Sequence, residues 1–248
     1  MIVVAPLVFV PGLALGSFLS VVAARVPLRR SIVRPGSACM SCETPIRWYD
    51  NVPLLSYALL GGRCRRCRTA ISPRDPAIEL ATALLLAGCF LAFGLTLKTA
   101  AAAIACAALV VVTATDLERR VVPNRVILPA AAAVLVLRTI ADPSPEWALA
   151  ALGAAGFLFL AALAYPGGMG MGDVKLALMI GALLGLTAAV ALMLGLVFAL
   201  IPSIVLFARH GFGARRMKIP FAPFLAAGTI VALFAGGYLL HLYLGTFS

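Results

Sequence analysis

Apolar residues run along this chain in long blocks, and the polar residues collect between them. The blocks fall near 2–24, 77–97, 99–115, 121–140, 146–164, 174–186, 188–208 and 221–244. A helix needs about 20 residues to cross the hydrocarbon core of a bilayer, within a range of about 17–25. Most blocks have that length. The stretch from Leu176 to Ala208 does not, because as one helix it would run roughly 50 Å at about 1.5 Å per residue. Gly185-Leu186-Thr187 offers a tight break, which makes a short sixth helix and a full seventh. The pattern therefore predicts an all-α polytopic fold of about eight transmembrane helices.

The cations test that count. With eight spans and the N-terminus outside, the inner loops and their flanks are 25–76, 116–124, 165–173 and 209–220. They hold all of the 20 Lys and Arg residues except Lys98 and Arg138. A single span over 176–208 would move Arg209, Arg215, Arg216 and Lys218 outside, against the positive-inside rule. The first block has no charged residue before it and Arg25, Arg29 and Arg30 after it. A cleaved signal peptide has the reverse order, so a retained first helix is expected.

Composition agrees. Hydrophobic residues are 63% of the 248, mean hydropathy is +1.07 and only 12% are charged. A soluble chain of this length has no way to hide so much apolar surface. The net charge of +11 would suggest nucleic acid in a soluble protein. Here it fits cytoplasmic loops facing anionic lipid, and no nucleic-acid partner is expected.

One polar segment remains, 25–76, rich in Arg, Pro, Gly and Cys and too small for a large core. Three parts follow: a first transmembrane helix over 1–24, a cytoplasmic four-cysteine domain over 25–76, and a seven-helix membrane domain over 77–248. Cys39-Met40-Ser41-Cys42 and Cys64-Arg65-Arg66-Cys67 form two CxxC knuckles with 21 residues between them. Each knuckle offers two thiolates, and two knuckles complete a tetrahedral, zinc-ribbon-like site. Four protein ligands leave no open position, so a structural Zn2+ is expected and metal catalysis is not. Two disulfides or an iron–sulfur cluster are the alternatives. The first conflicts with a reducing compartment. Cys89 and Cys106 stand alone in apolar blocks and read as packing.

Two acids draw attention because carboxylates are costly near lipid. Asp116 closes the third span and Asp173 opens the sixth, within Gly170-Met171-Gly172-Asp173-Val174-Lys175. Two spans separate them, so both emerge on one side. Two carboxyls at one depth can share a water: the ionised one takes its proton, and the protonated one donates to the scissile carbonyl. Gly170 and Gly172 would leave bare backbone for an extended peptide to approach. As a helix N-cap, Asp173 would also gain from the helix dipole. A plain capping role for Asp173 and a plain connecting role for the glycines compete with this reading. Asp50, Asp75 and Asp142 fit solvated or capping roles in polar loops, although Asp50, beside Trp48 and Tyr49, is placed to touch a substrate. His210 and His241 match no metal motif. Lys175 reads as a dipole or lipid contact, with a base for a serine nucleophile as the alternative.

An ordered set of motifs runs over nearly the whole chain. It comprises Gly16-Ser17-Phe18-Leu19-Ser20, the two knuckles, Trp48-Tyr49-Asp50-Asn51-Val52-Pro53, Ile71-Ser72-Pro73-Arg74, Glu79-Leu80, the Asp116 and Gly170–Asp173 segments, and Ile219-Pro220-Phe221-Ala222-Pro223-Phe224. In this set the chain resembles the type IV prepilin peptidase family of pilus and type II secretion systems. The resemblance implies an inner-membrane aspartic peptidase of a prokaryote with Asp116 and Asp173 as its catalytic pair. Gly170, Gly172 and Lys175 would belong to its active-site loop. The implied substrate is a prepilin or pseudopilin, cut after the glycine ending a short basic leader, at the cytoplasmic face, with Glu43, Glu79 and Glu118 as candidate acidic contacts for that leader. The resemblance also implies methylation of the new N-terminus with S-adenosylmethionine. Asn124 stands where many relatives have an acid, and Ala222 where a glycine is common. Gly61-Gly62 is too weak a signal for a cofactor pocket. Other rivals are an intramembrane protease cutting within a helix, which would lack the cysteine loop, and a membrane scaffold or transporter.

Overall fold

The structure is a computed structural model, and it describes residues 5–165, 169–211 and 219–245, without the side chains of 5, 210 and 240–245. Expectations for His210, His241, Gly167, Gly168, Arg215, Arg216 and Lys218 lie outside the described residues or side chains. The described residues form helices α1 (Ala5–Arg25), α2 (Leu55–Leu59), α3 (Arg74–Phe93), α4 (Leu97–Arg119), α5 (Asn124–Ala141), α6 (Glu146–Ala164), α7 (Met171–Leu184), α8 (Ala188–His210) and α9 (Ala222–Gly245). Among the described residues there is no strand, only two isolated bridges, Ala38 with Pro45 and Arg63 with Ala70. The fold is all-α and polytopic.

Two compact units divide the chain, Met1–Gly94 and Leu95–Ser248. Packing thus groups α3 with α1, whereas composition placed a division near residue 76. Inside the first unit α1 and α3 run antiparallel at very short range. A Cβ on Gly12 would lie 2.8 Å from Ala83 Cα, and one on Gly16 would lie 2.5 Å from Glu79 Cα. Gly12 and Gly16 are four residues apart, and so are Glu79 and Ala83. Small residues at that spacing let membrane helices approach closely where no hydrophobic effect drives them together.

The second unit uses the same device. Gly181 of α7 lies on α6, where a Cβ would fall 2.3 Å from the Ala150 carbonyl oxygen, and Gly228 of α9 lies on Ala191 of α8. Seven runs are long and apolar enough to cross a membrane, and one of them covers Met171–Arg209. That run is not one leg. It breaks at a 3-10 turn over Gly185–Thr187, where Gly185 has φ +60°. The chain also reverses there. Thr187 lies against Gly236, whereas Gly195 lies against Leu225, so α8 runs antiparallel to α9. Gly181 against Ala150 and Gly185 against Glu146 set α7 antiparallel to α6. The start of α8 then lines a groove with the first half of α6, from Ser144 to Phe157. The reversal makes α7 and α8 two separate legs, divided at Gly185-Leu186-Thr187.

At 14 residues, α7 is about 21 Å long, short of the roughly 30 Å hydrocarbon core. It can be short because it is central. It packs on α4, α5, α6, α8 and α9, and Leu176, Ala177, Met179, Ile180 and Ala182 are fully buried. A helix apolar on every face is a buried one.

Glu146 secures the break. Its Oε1 accepts from the Leu186 N–H at 3.0 Å, and a Cβ on Gly185 would sit 2.2 Å from that same oxygen. Glycine is required there both by its positive φ and by this contact.

Candidate active site and metal centre

Asp116 and Asp173 meet at one end of the second unit. Asp116 lies in the last turn of α4, which runs on to Arg119 before Arg120 caps it at φ +54°. Asp173 lies in the first turn of α7. The carboxyls are 7% and 9% exposed and close enough to interact electrostatically. The charge of Arg120 acts on Asp116.

The N-cap expectation for Asp173 is corrected. The N-cap is Gly170, and Asp173 is the third helical residue, its N–H donating to the Gly170 carbonyl at 3.1 Å. From the third position the Asp173 side chain reaches back to the Gly170 main chain, as an acid does in a capping box. It lies beside bare backbone, with Oδ2 3.6 Å from where a Gly170 Cβ would be. A side chain at Gly170 would come into van der Waals contact with this carboxyl. Gly172 has a different task from the one expected. A Cβ there would be 2.7 Å from Val122 Cβ, so Gly172 lets α7 close onto the α4–α5 connection. It brings the second carboxyl to the first.

The two acids are not equivalent. Ala222 is fully buried, and its backbone N–H donates to Asp116 Oδ2 at 3.1 Å. Phe221 adds a second backbone contact to that carboxyl. The Pro220-Phe221-Ala222 segment thus acts through its main chain, at the N-terminus of α9. In the sequence this segment stood only as one motif of the family resemblance, with no chemical role attached, because main-chain donors leave no mark on residue type.

Lys175 belongs to this end of the unit but does not reach toward either carboxyl. Its Nζ donates to Asn124 Oδ1 at 2.8 Å, which ties α7 to the first residue of α5. Asn124 is thus the partner of Lys175, a pairing sequence alone did not suggest.

The remaining acids sort differently. Asp50 takes a bidentate contact from Arg65, with Nη2 at 2.7 Å and Nε at 3.0 Å. The Arg65 hydrogen bonds hold its carboxyl below the usual range. Glu79 is buried in α3 and accepts from the Leu54 N–H at 2.9 Å. That bond supports Leu54 in a left-handed conformation, φ +56°, which costs a non-glycine residue energy. Glu79 is thus a buried brace within the first unit and is not free to receive a basic peptide.

The cysteines converge as expected. The Sγ atoms of Cys39, Cys42, Cys64 and Cys67 all lie within 4.8 Å of one another, and none is in a disulfide. Cys39 and Cys67 are 3.6 Å apart at sulfur. Four thiolates about 2.3 Å from one ion would sit about 3.8 Å apart, so this cluster accepts a tetrahedral metal with little adjustment. Cys89 and Cys106 are buried in α3 and α4.

The knuckles repeat one another closely. In the first, Cys39 N–H donates to the Thr44 carbonyl at 3.0 Å and Glu43 N–H to the Cys39 carbonyl at 2.9 Å. In the second, Cys64 N–H donates to Thr69 and Arg68 N–H to Cys64, at 2.9 and 3.0 Å. Glu43 and Arg68 both have positive φ. Each knuckle is Cys-x-x-Cys-x-Thr, and each threonine hydroxyl lies 3.3 Å from the second cysteine sulfur. Contact with Thr69 lowers the Cys67 thiol to about 6, and contact with Thr44 lowers that of Cys42. Both are thereby prepared as thiolate ligands. The threonines were visible in the sequence as a repeated spacing but were not singled out.

Gly61 and Gly62, both at positive φ, form the turn between α2 and the second knuckle. Gly62 packs on the Tyr57 ring, 3.0 Å from where its Cβ would be.

Comparison with known proteins assigns the chain to a family. Residues 10–93 match the model described as the bacterial peptidase A24 N-terminal domain, and residues 103–214 match the type IV leader peptidase family. The prepilin leader peptidase/N-methyltransferase of Bacillus subtilis is 36% identical, over 96% of this chain and 97% of its own. That of Pseudomonas aeruginosa is 33% identical over 94% and 91%. That of Myxococcus xanthus is 41% identical over 71% of this chain and 55% of its own. No solved structure matches the chain significantly. With a whole-length relative at this identity, and with both halves of the chain matching, the protein belongs to the type IV leader peptidase family.

Proposed function

We propose that this protein is a prepilin leader peptidase whose catalytic pair is Asp116 and Asp173. The observation that carries the reading is the meeting of two buried carboxyls, from α4 and α7, beside the bare backbone of Gly170. One carboxylate takes a proton from a water held between them, and the water oxygen attacks the scissile carbonyl carbon. The protonated partner donates to the carbonyl oxygen. As the tetrahedral intermediate collapses the C–N bond breaks, the departing amine takes the proton first drawn from water, and a hydroxyl of the intermediate returns its proton to the other carboxylate. The Ala222 N–H fixes the Asp116 carboxylate without competing for the water.

The substrate is a prepilin or pseudopilin whose apolar helix lies in the inner membrane, and cleavage falls at the cytoplasmic boundary. Arg119, Arg120, Arg125 and Lys175 surround this end in sequence, and the positive-inside rule supports the orientation. The four-cysteine cluster holds a structural Zn2+ through Cys39, Cys42, Cys64 and Cys67, closed to substrate. Methylation of the new N-terminus with S-adenosylmethionine is supported by the bifunctional names of the relatives, and no residue of this chain is assigned to it.

The test uses purified protein, a prepilin and labelled S-adenosylmethionine, with Asp116→Asn and Asp173→Asn as separate variants. Both should lose leader removal by about ten-thousand-fold, as removal of one member of a catalytic unit does. Wild-type cleavage by either folded variant would overturn the pair. Label in the mature product reports methylation independently.

A further inference from the structure

The first unit contains a segment the peptidase reading does not use. From Arg25 to Ala77 no residue is buried. Within it, large apolar side chains face outward: Met40 is 98% exposed, Trp48 83%, Leu59 77% and Val33 75%. Between residues 25 and 76 stand ten arginines and no lysine, against Glu43, Asp50 and Asp75. Asp50 is already neutralised by Arg65.

The chemistry around Trp48 is organised. The Tyr49 ring has the Arg47 guanidinium carbon 5.8 Å and the Arg65 guanidinium carbon 5.7 Å from its centroid. Arg47 also hydrogen-bonds the Tyr49 hydroxyl. Trp48 meets the Tyr49 ring edge to face at 5.6 Å and projects from the cluster. Indole and phenol rings set among guanidinium groups match the boundary of a bilayer, where amphipathic rings and cations sit at headgroup depth.

The loop is also tethered where that boundary lies. It leaves α1 at Arg25 and returns into α3 at Arg74. Both helices are long and apolar enough to span a membrane, and Gly16 packed on Glu79 brings their loop ends together. We propose that the four-cysteine loop rests on the anionic surface of the membrane, with Trp48 among the lipid headgroups and the arginines paired with lipid phosphates. The metal cluster then serves to hold a flat basic face that has no core of its own. Charge decides between occupants. A second copy of this loop would be repelled, and so would the basic leader of a prepilin, a point that rests on the proposed function. Anionic lipid is attracted.

Trp48 and Trp147 are the only tryptophans, so Trp48 can report directly. The full-length protein with Trp147→Phe is placed in nanodiscs of phosphatidylcholine alone or mixed with phosphatidylglycerol. Should Trp147→Phe fail to fold, the spectrum of wild type minus Trp48→Phe isolates the same residue. The expected result is a blue-shifted Trp48 emission in the anionic discs, quenched severalfold more by headgroup-proximal brominated lipid there than in neutral discs, and partly reversed by salt. Water-like, unquenched emission in anionic discs would overturn the proposal. So would equal quenching in the two lipids, or shielding that brominated lipid does not reach, since the first removes the charge argument and the second points to protein cover. Shielding that appears only when a prepilin is added would reassign the face to substrate. None of these readouts depends on cleavage, so the peptidase assignment stands or falls separately.

Discussion

The four-cysteine loop and the aspartate pair are built on opposite principles. The loop has no buried residue between Arg25 and Ala77, and its order rests on two hydrogen-bonded knuckles and four converging thiols. The aspartates sit in a unit whose helices touch backbone to backbone at Gly181 and Gly228, with Leu176, Met179 and Leu225 fully buried. One region is held by a few strong local bonds, the other by many weak contacts at close range. The lesson is that a membrane enzyme can place an exposed domain and a buried acid pair in one chain without a soluble core. Each region should then fail in its own way.

Metal removal gives the largest difference. Structural zinc supplies about 10–16 kcal/mol to comparable small sites, so chelation should melt the loop alone. Trypsin should then cut faster at Arg63, Arg66 and Arg68, while the rate of cutting beyond α3 is unchanged. Equal protection of the loop with and without metal would break the comparison. Next comes Gly181→Leu, whose Cβ would fall 2.3 Å from the Ala150 carbonyl oxygen. Overpacking of this kind costs about 1–3 kcal/mol or more. It should lower thermal stability in detergent and abolish activity while leaving metal content intact.

Ala222→Pro is finer. Proline is well tolerated at the first position of a helix, so α9 should persist while its donor to Asp116 disappears. A hydrogen bond to a charged group contributes about 1.5–3 kcal/mol, which predicts a fall in kcat of about ten- to a hundred-fold. Unchanged kcat would mean that the Ala222 N–H plays no part. The smallest effect is Thr69→Ala. In the folded knuckle, contact with Thr69 lowers the Cys67 thiol to about 6, so its thiolate is available to the metal at lower pH. Removing the threonine hydroxyl should raise that thiol toward the ordinary value of about 8.5 and move the midpoint of acid-induced metal release upward. Between the two midpoints the wild type keeps its metal and the variant has lost it. An unmoved midpoint would show that the threonine only shapes the knuckle.

Much of this was legible in the chain itself. Eight legs followed from apolar blocks and the placement of arginines, including the break at Gly185–Thr187, which Glu146 secures by a contact no periodicity reveals. The cysteine cluster followed from spacing, because ligand sets repeat in sequence what they do in space. The aspartates followed from parity and the cost of carboxylates near lipid. Helix ends were less legible. Asp116 lies inside α4 because the helix runs on through Leu117-Glu118-Arg119, a polar turn that hydropathy excludes from an apolar block. Asp173 lies inside α7 because Gly170, a poor helix former, can still cap one. The roles of Gly172 and Ala222 were hidden for one shared reason. Both act through what their backbone permits, and only the neighbours Val122 and Asp116 disclose it.

The central claim is that the two carboxyls work as one unit, and a double-mutant cycle tests it most directly. Leader removal is measured for Asp116→Asn, Asp173→Asn and the two combined, each checked for fold by metal content and helical signal. The account predicts that the double variant falls no further than either single one, because the second change removes nothing that still functions. Losses that multiply, or near-normal cleavage by one single variant, would contradict it.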